Sequence, residues 1–315
     1  MPNPDVPIYQ TQAPRVTTAD GVQVREDVLF TDEGGEPDER RQRQALEALS
    51  SLREILPVLL EKDETVLYVV RTCRAPMRTL EQFLLEWDVY RVSATRLVFT
   101  NLRLLHFGME SDKKWRRTVK AVRWSDVTKA KVEGWLNRIL RLRYANGTSE
   151  KYERLQRKDS QKIKAVLDAV IPPSRGQATP AQGFQSICPD CRAVLTPGKY
   201  ECASCGLRFK DEKTLLMRTL LIPGGGYMYA SMTLLGILNF ITEGSFTLAA
   251  LVWILMAIGV MTPEKTVDGR VPQAGETLSV ALILLVFVGL QKGMEYIHGR
   301  RAIRTFLPWK KRGEA

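Results

Sequence analysis

Histidine is nearly missing from this chain. His106 and His298 are the only two in 315 residues, and neither lies near a plausible nucleophile in the sequence, so general acid–base chemistry is thinly provided for. Also missing are a glycine loop able to cradle phosphates, paired carboxylates at helical spacing and the parts of a nucleophilic triad. An enzyme is therefore not expected. Cysteine is scarce as well, with five residues, and nothing at the N-terminus reads as a secretory signal. A reducing cytosol is the expected setting, where thiols persist in place of disulfides.

Four of the five cysteines fall in two pairs, Cys188-Pro-Asp-Cys191 and Cys202-Ala-Ser-Cys205-Gly206, with ten residues between them. Each pair can form a tight turn whose N–H groups point at the sulfurs, and two such turns place four thiolates tetrahedrally about one ion. The spacing reads as a zinc ribbon with Cys188, Cys191, Cys202 and Cys205 as ligands. Two disulfides are the alternative in an oxidising compartment. A closed four-cysteine site has no open coordination position, so a structural Zn2+ is the expected cofactor. Cys73 follows the apolar run Val66–Val70 and reads as a structural thiol.

Charge is segregated. Residues 1–37 hold two arginines against seven acids, whereas residues 91–171 hold 20 basic and 8 acidic residues. The overall charge of +11 is thus essentially one patch, whose field attracts polyanions, either nucleic acid or an anionic membrane. Lys113, Lys114, Arg116, Arg117, Lys120 and Arg123 fall within eleven residues and are the candidate lipid-binding set. Their alternative role is a solvated strand edge kept from aggregating by charge. Nucleic acid is disfavoured, because the ribbon is only mildly basic and Phe184, Tyr200 and Phe209 are too scattered to form a stacking platform.

Taken in order, residues 1–37 contain five of the 16 prolines and no sustained apolar periodicity, which predicts a disordered acidic tail. Leu46, Leu49, Leu52, Leu56 and Leu59/Leu60 then place one stripe on an amphipathic helix from Asp38, with Pro57 ending it near Leu56. Val66–Val70, Arg96–Thr100, Leu102–Phe107 and Val119–Trp124 read as strands, and Asn146-Gly147 as a hairpin turn. A helix over Asp159–Ile171, with Ile163, Val166, Leu167 and Val170 on its buried face, closes the segment. Within it, Thr100-Asn101-Leu102-Arg103-Leu104 resembles the "Thr-Asn-x-Arg-Leu" hairpin of bacterial PH and GRAM-type domains, and Trp124-Ser125-Asp126-Val127 is similar to the segment after it. The resemblance covers roughly residues 60–171. It implies a PH-like domain, an open barrel or sandwich plugged by a C-terminal helix, over 38–171 together with the leading helix.

Pro172, Pro173, Gly176, Pro180 and Gly183 mark 172–185 as a linker, and 186–210 is the ribbon. The chain then turns apolar over Thr214–Ile241, Phe246–Met261 and Leu278–Leu290. Crossing a bilayer takes about 20 apolar residues, so 214–299 is expected to be a membrane region of two or three spanning helices, followed by a basic tail over 300–315. Leu278 can be continued as a helix to Ile297 if Lys292 and Glu295 pair with each other or lie at the headgroups. Pro223-Gly224-Gly225-Gly226 interrupts the first run; with Tyr227 and Tyr229 it resembles the start of the two-helix membrane hairpins that follow zinc ribbons in some bacterial membrane proteins.

The fold class expected is a multidomain α+β membrane protein: a PH-like β-barrel or sandwich with a C-terminal helix, a small zinc ribbon and transmembrane helices. Lys210, Lys213 and Arg218 on one flank and Arg300, Arg301, Arg304, Lys310, Lys311 and Arg312 on the other favour the cytoplasm for both ends, with 262–277 outside. The expected place is thus the inner membrane, with the PH-like domain and ribbon cytoplasmic. The expected function is that of a non-enzymatic adaptor or sensor docking on anionic lipid, a protein partner or a second copy. A small transporter or membrane-complex subunit is the alternative.

Overall fold

Short β-rich runs broken by polar turns pair with their sequence neighbours, and this rule builds most of the first half of the chain. The computed structural model describes residues 15–32, 34–74, 94–111, 114–135, 138–144, 146–169, 183–262 and 271–309. It divides into two units, Met1–Leu207 and Arg208–Ala315.

In the first unit β1 (Val16–Ala19) and β2 (Val22–Arg25) form a hairpin, followed by α1 (Glu26–Leu29), α2 (Glu39–Ser50) and α3 (Leu56–Leu59). An antiparallel meander follows, β3 (Val66–Arg74), β4 (Ala94–Thr100), β5 (Arg103–Ser111) and β6 (Lys114–Arg123), and then a second one, β7 (Val127–Glu133), β8 (Arg138–Tyr144) and β9 (Ser149–Leu155). Helix α4 (Arg157–Ala169) and the short strand β10 (Gln185–Ile187) come last. The strand order is β10-β6-β5-β4-β3-β9-β8-β7, with β2 lying parallel to β3 at Val24↔Val66. Strands followed by one helix, and the Asn146-Gly147 hairpin with Gly147 at φ 79°, agree with the sequence pattern. Ile163, Val166 and Leu167 are buried as expected, and Val170 lies outside the described residues.

Three boundaries differ. Residues 15–37 are built into the fold and are not a tail: Val22, Val24, Val28 and Leu29 are buried in the main core, and the buried Lys162 of α4 donates to Thr31 Oγ1 (2.8 Å) and Asp32 O (2.6 Å). Two alternating valines were enough, because Asp20 and Gly21 supply the positive φ angles of a tight turn. Helix α2 stops at Ser50, before Pro57, which instead opens α3. Its buried face uses Ala45, Ala48 and Leu49, small residues that let it lie close. The expected linker ends before Phe184, which packs edge-on against His106 and Tyr152.

The Thr-Asn-x-Arg turn between β4 and β5 has a structural reason. Thr100 Oγ1 accepts from the N–H of Leu102 and Arg103 and donates to Glu64 Oε1 at 2.7 Å. Asn101 Oδ1 accepts from Thr65 N, and Arg103 grips Glu64 through Nε and Nη2 at 2.9 and 2.7 Å. Glu64 is 1% exposed, and its carboxylate is met by Thr100 Oγ1, by Arg103 Nε and Nη2 and by the N–H of Glu61 at 3.0 Å, the partners a buried carboxylate requires. Replacing Glu64 by Ala leaves the buried Arg103 guanidinium with Leu59 O at 2.9 Å and only the distant, exposed carboxylate of Glu61 at 3.9 Å, and should cost about 3–5 kcal/mol of stability, read as a lowered denaturation midpoint of the purified chain.

The second unit begins with Phe209 bridged to Pro308, Lys210 N donating to Leu307 O at 2.9 Å, so 208–210 belong here and not to the ribbon. Helices α5 (Glu212–Leu221), α6 (Gly225–Tyr229), α7 (Thr233–Ala257) and α8 (Ala274–Ile303) follow. The expected first and second apolar runs are redistributed: α7 takes the end of one and most of the other. Thr242 to Ser245 stay helical because Glu243 is satisfied in place. Its carboxylate meets Lys292 Nζ at 2.6 Å and Asn239 Nδ2 at 3.1 Å. Lys292 thus pairs across the helices, not with Glu295. The contacts Asn239–Glu295, Glu243–Lys292 and Phe246–Phe287 run in opposite directions along the two helices, which are therefore antiparallel. Nor is 300–309 a free tail: Ala302, Ile303, Phe306 and Leu307 are buried, and Arg300 and Arg304 pair with Glu212 at 2.7 and 2.8 Å.

The Pro223–Gly226 break is satisfied by the two long helices. Gly224 N donates to Glu243 Oε2 (3.2 Å), and Gly226 N and Tyr227 N donate to Glu295 Oε1 (2.5 and 3.1 Å). Gly224 has φ 64°, and a Cβ there would fall 2.1 Å from Gly236 O. Gly224→Ala should therefore lose well over the roughly 1–2 kcal/mol of a left-handed residue. Gly244→Ala, with nothing within 4 Å of the added methyl, should gain up to about 1 kcal/mol from helix propensity. Thermal unfolding of the detergent-solubilised variants separates the two.

Candidate metal centre

Each cysteine pair forms the same turn. Cys188 N donates to Ala193 O and Arg192 N to Cys188 O, at 2.9 and 3.0 Å; Cys202 N donates to Leu207 O and Gly206 N to Cys202 O, both at 2.9 Å. Each turn needs a left-handed residue four positions after its first cysteine, filled by Gly206 (φ 71°) in one and by Arg192 (φ 67°) in the other. The two turns face each other, with Cys188 Sγ 3.6 Å from Cys205 Sγ and Cys191 Sγ 3.5 Å from Cys202 Sγ. All four sulfurs lie within 4.8 Å of one another and no disulfide joins them.

This geometry fits zinc. Four sulfurs about 2.3 Å from one ion at tetrahedral angles stand roughly 3.8 Å apart, close to the separations found. Burial raises the Cys202 thiol, but the backbone N–H groups of Ser204 and Cys205 outweigh it and hold the group at about 7, the direction that favours a thiolate; burial pushes the neighbouring Cys188 thiol up, and Cys205 is raised as well, so the fit to zinc rests on the sulfur geometry. Cys188 and Cys202 are buried, Cys191 is half-buried and Cys205 is exposed.

The centre is anchored in the sheet. Strand β10 runs directly into Cys188 and pairs antiparallel with β6 through Gln185↔Ala121 and Ile187↔Val119, and Arg117 Nη2 meets Asp190 Oδ1 at 2.8 Å. Four residues from the candidate lipid-binding set are thereby accounted for in other ways. Arg117 holds the first cysteine turn. Arg116 is half-buried, with Nη2 donating to Met109 O at 2.9 Å. Lys120 is half-buried opposite His106 in the β5–β6 register, and burial lowers its ammonium despite the pull of Glu150. Arg123 pairs with Glu61 at 2.8 Å. Lys114 is exposed and meets Glu110 at 3.2 Å, and Lys113 lies outside the described residues. A strand points successive side chains to opposite faces, and with Arg116 and Lys120 half-buried while Lys114 and Arg123 are exposed, the five described residues do not make one surface.

His106, which burial pushes down to about 3, lies between Thr95 Oγ1 and Tyr152 OH, both at 3.1 Å. It is a half-buried residue of the sheet whose surroundings favour the neutral ring. Cys73 is buried with its thiol pushed up by desolvation and donates to Thr95 O at 3.5 Å. The residues missed were the partners: Asp190 for Arg117, and Glu243 with Glu295 for the glycine turn. The one available signal was two acids inside otherwise apolar runs.

No family model, curated protein or solved structure matches the chain.

The purified chain should contain one zinc per molecule by elemental analysis, and Cys188→Ser, Cys191→Ser, Cys202→Ser or Cys205→Ser should each abolish it. Arg192→Gly should retain the metal and, by relieving a left-handed side chain, raise stability by up to about 1 kcal/mol.

Proposed function

We propose that this chain is a membrane-anchored, non-enzymatic adaptor or sensor, with a PH-like domain and a structural zinc ribbon presented at the cytoplasmic face of the inner membrane and a two-helix hairpin in the bilayer. One observation carries the anchoring. Helices α7 and α8 are long and apolar enough to cross a membrane, and only 11% of each apolar window is buried within the protein. Leu238, Ile241, Leu248, Ile283, Val286 and Leu290 all stand out of the hairpin. A soluble fold does not leave such a surface in water. The uncharged part of α7, residues 244–257, is about 21 Å long, and the uncharged residues 258–262 after it carry the stretch toward the roughly 30 Å of the hydrocarbon core.

Basic residues flank both ends of the hairpin and acids outnumber bases in 262–277, which supports two crossings with both termini inside. The glycine turn then remains on the cytoplasmic side without crossing, its backbone covered by the carboxylates of the two helices.

A transporter subunit is the second reading, favoured by Glu243, Lys292 and Glu295 within the hairpin, since ionisable groups in membrane helices often mark a path. Against it, these carboxylates are occupied by three backbone N–H groups, Lys292 and Asn239.

Alkaline extraction should leave the chain in the membrane pellet. A membrane-impermeant thiol reagent on intact cells should label Gly269→Cys but neither Asn146→Cys nor Gly313→Cys. Labelling at 313 with protection at 269 would replace the two-crossing hairpin by another topology.

A further inference from the structure

The outward face of the second meander carries a block of cations for which folding gives no reason. In the β7–β8 register Lys129 lies opposite Arg143 and Lys131 opposite Arg141, and in the β8–β9 register Arg141 lies opposite Lys151. Lys131, Arg141 and Lys151 therefore form one row across three strands, about 10 Å wide at the usual strand spacing, with Lys129 and Arg143 beside it. The buried residues of these strands, Leu140, Leu142 and Tyr152, are on the other face. Like charges directly opposite one another destabilise a sheet. Glu133 meets Arg141 at 3.0 Å and Lys131 at 3.9 Å, and Glu153 lies two residues along β9 from Lys151; Lys129, Arg143 and Lys151 form no ion pair with a carboxylate among the described residues.

Edge protection explains only part of this. Strand β7 ends the sheet order, so lysines on it keep other strands away. Strand β8 is interior, paired along its length with β7 and β9, so Arg141 and Arg143 have no edge to guard; β9 meets β3 only at Arg74↔Glu153, which leaves Lys151 near an edge. At the tip of the same hairpin, just after Gly134 at φ 91°, Trp135 is 81% exposed. An indole there lowers solubility and contributes nothing to the core. Cations beside an exposed tryptophan match a bilayer surface, where the phosphates attract the cations and the indole sits at the level of the headgroups.

We propose that the β7–β8–β9 face, with Lys129, Lys131, Arg141, Arg143, Lys151 and Trp135, is a docking surface for an anionic lipid bilayer. The proposal rests on the anchoring reading above and gives it a different surface from the β6 residues. The hairpin of the same chain supplies the bilayer at high effective concentration, so a contact too weak to recruit a free protein suffices. Salt weakens it, because the cations are exposed.

The test uses the full chain reconstituted into lipid discs of phosphatidylcholine alone or with phosphatidylglycerol. Subtracting the emission of a Trp135→Phe chain isolates this indole from the other five tryptophans. In anionic discs its emission should shift to the blue and its quenching by acrylamide should fall about twofold or more relative to neutral discs, the difference vanishing at high salt. The triple variant Lys131→Glu, Arg141→Glu, Lys151→Glu should abolish the difference. Lys151→Arg should keep it, and unchanged zinc content and circular dichroism show that each variant is folded. Equal quenching in both discs overturns the proposal, as does protection in neutral discs by an added oligonucleotide or acidic peptide in place of anionic lipid. Loss of the chain from the discs under alkaline extraction counts against the anchoring reading alone, and the same comparison on vesicles added from outside then decides the surface.

Discussion

A backbone that leaves the helix inside an apolar segment must find acceptors for its N–H groups or lose several kcal/mol for each. The second unit is arranged around that requirement. Glu243 and Glu295 supply the acceptors for Gly224, Gly226 and Tyr227, and bringing two carboxylates to one turn brings in Lys292, which pairs with Glu243 and also donates to the carbonyls of Thr219 and Ile222. Glycine is forced at 224 and 226 by the closeness of Gly236 O and Thr219 Oγ1. Since the acids are on different helices, satisfying the turn sets the antiparallel register of the pair. Tyr227 OH, 2.8 Å from His298 Nδ1, extends the network to the end of α8.

The first unit meets the same problem with buried cations. Arg103 closes on Glu64, Lys162 ties down the N-terminal segment, and Arg96 donates to Ala48 O, to Ser51 Oγ and to Arg71 O. Each joins a short or irregular segment to the sheet, and each buried cation finds acceptors there. The metal centre follows this plan, since Arg117 on β6 holds Asp190 inside the first cysteine turn while β10 extends the sheet up to Cys188. An ion held by the four thiols would order the end of a sheet as well as a separate knuckle.

How much of this was legible depended on the distance along the chain. The four-cysteine cluster was readable because 18 residues contain both turns, and a tight turn is a local property of Cys-x-x-Cys with a left-handed residue after it. The Asn146-Gly147 hairpin and the helix over 157–169 were readable for the same reason. The basic cluster at 113–123 was seen as a count, but a count ignores the alternation of a strand: it merged residues that point inward, residues paired with Asp190 or Glu61, and one exposed lysine. The block on β7, β8 and β9 was overlooked because its members are spread from 129 to 151 and meet only in the register.

By itself the sequence determined the composition of each part: a four-thiol site, a β-rich basic segment closed by a helix, and apolar stretches interrupted at Pro223–Gly226. Propensity, turn chemistry and hydrophobic period act over a few residues, so they survive without knowledge of the fold. Only the tertiary structure decided which charge meets which, that residues 15–32 join the core through Val22, Val24 and Lys162, and that the three apolar runs become two short helices joined by a glycine turn and two long ones. Those outcomes depend on partners 49 to 131 residues apart, as in Glu243–Lys292 and Thr31–Lys162. A buried polar group accepts whichever partner the folded chain brings within about 3 Å, and no local pattern encodes that choice.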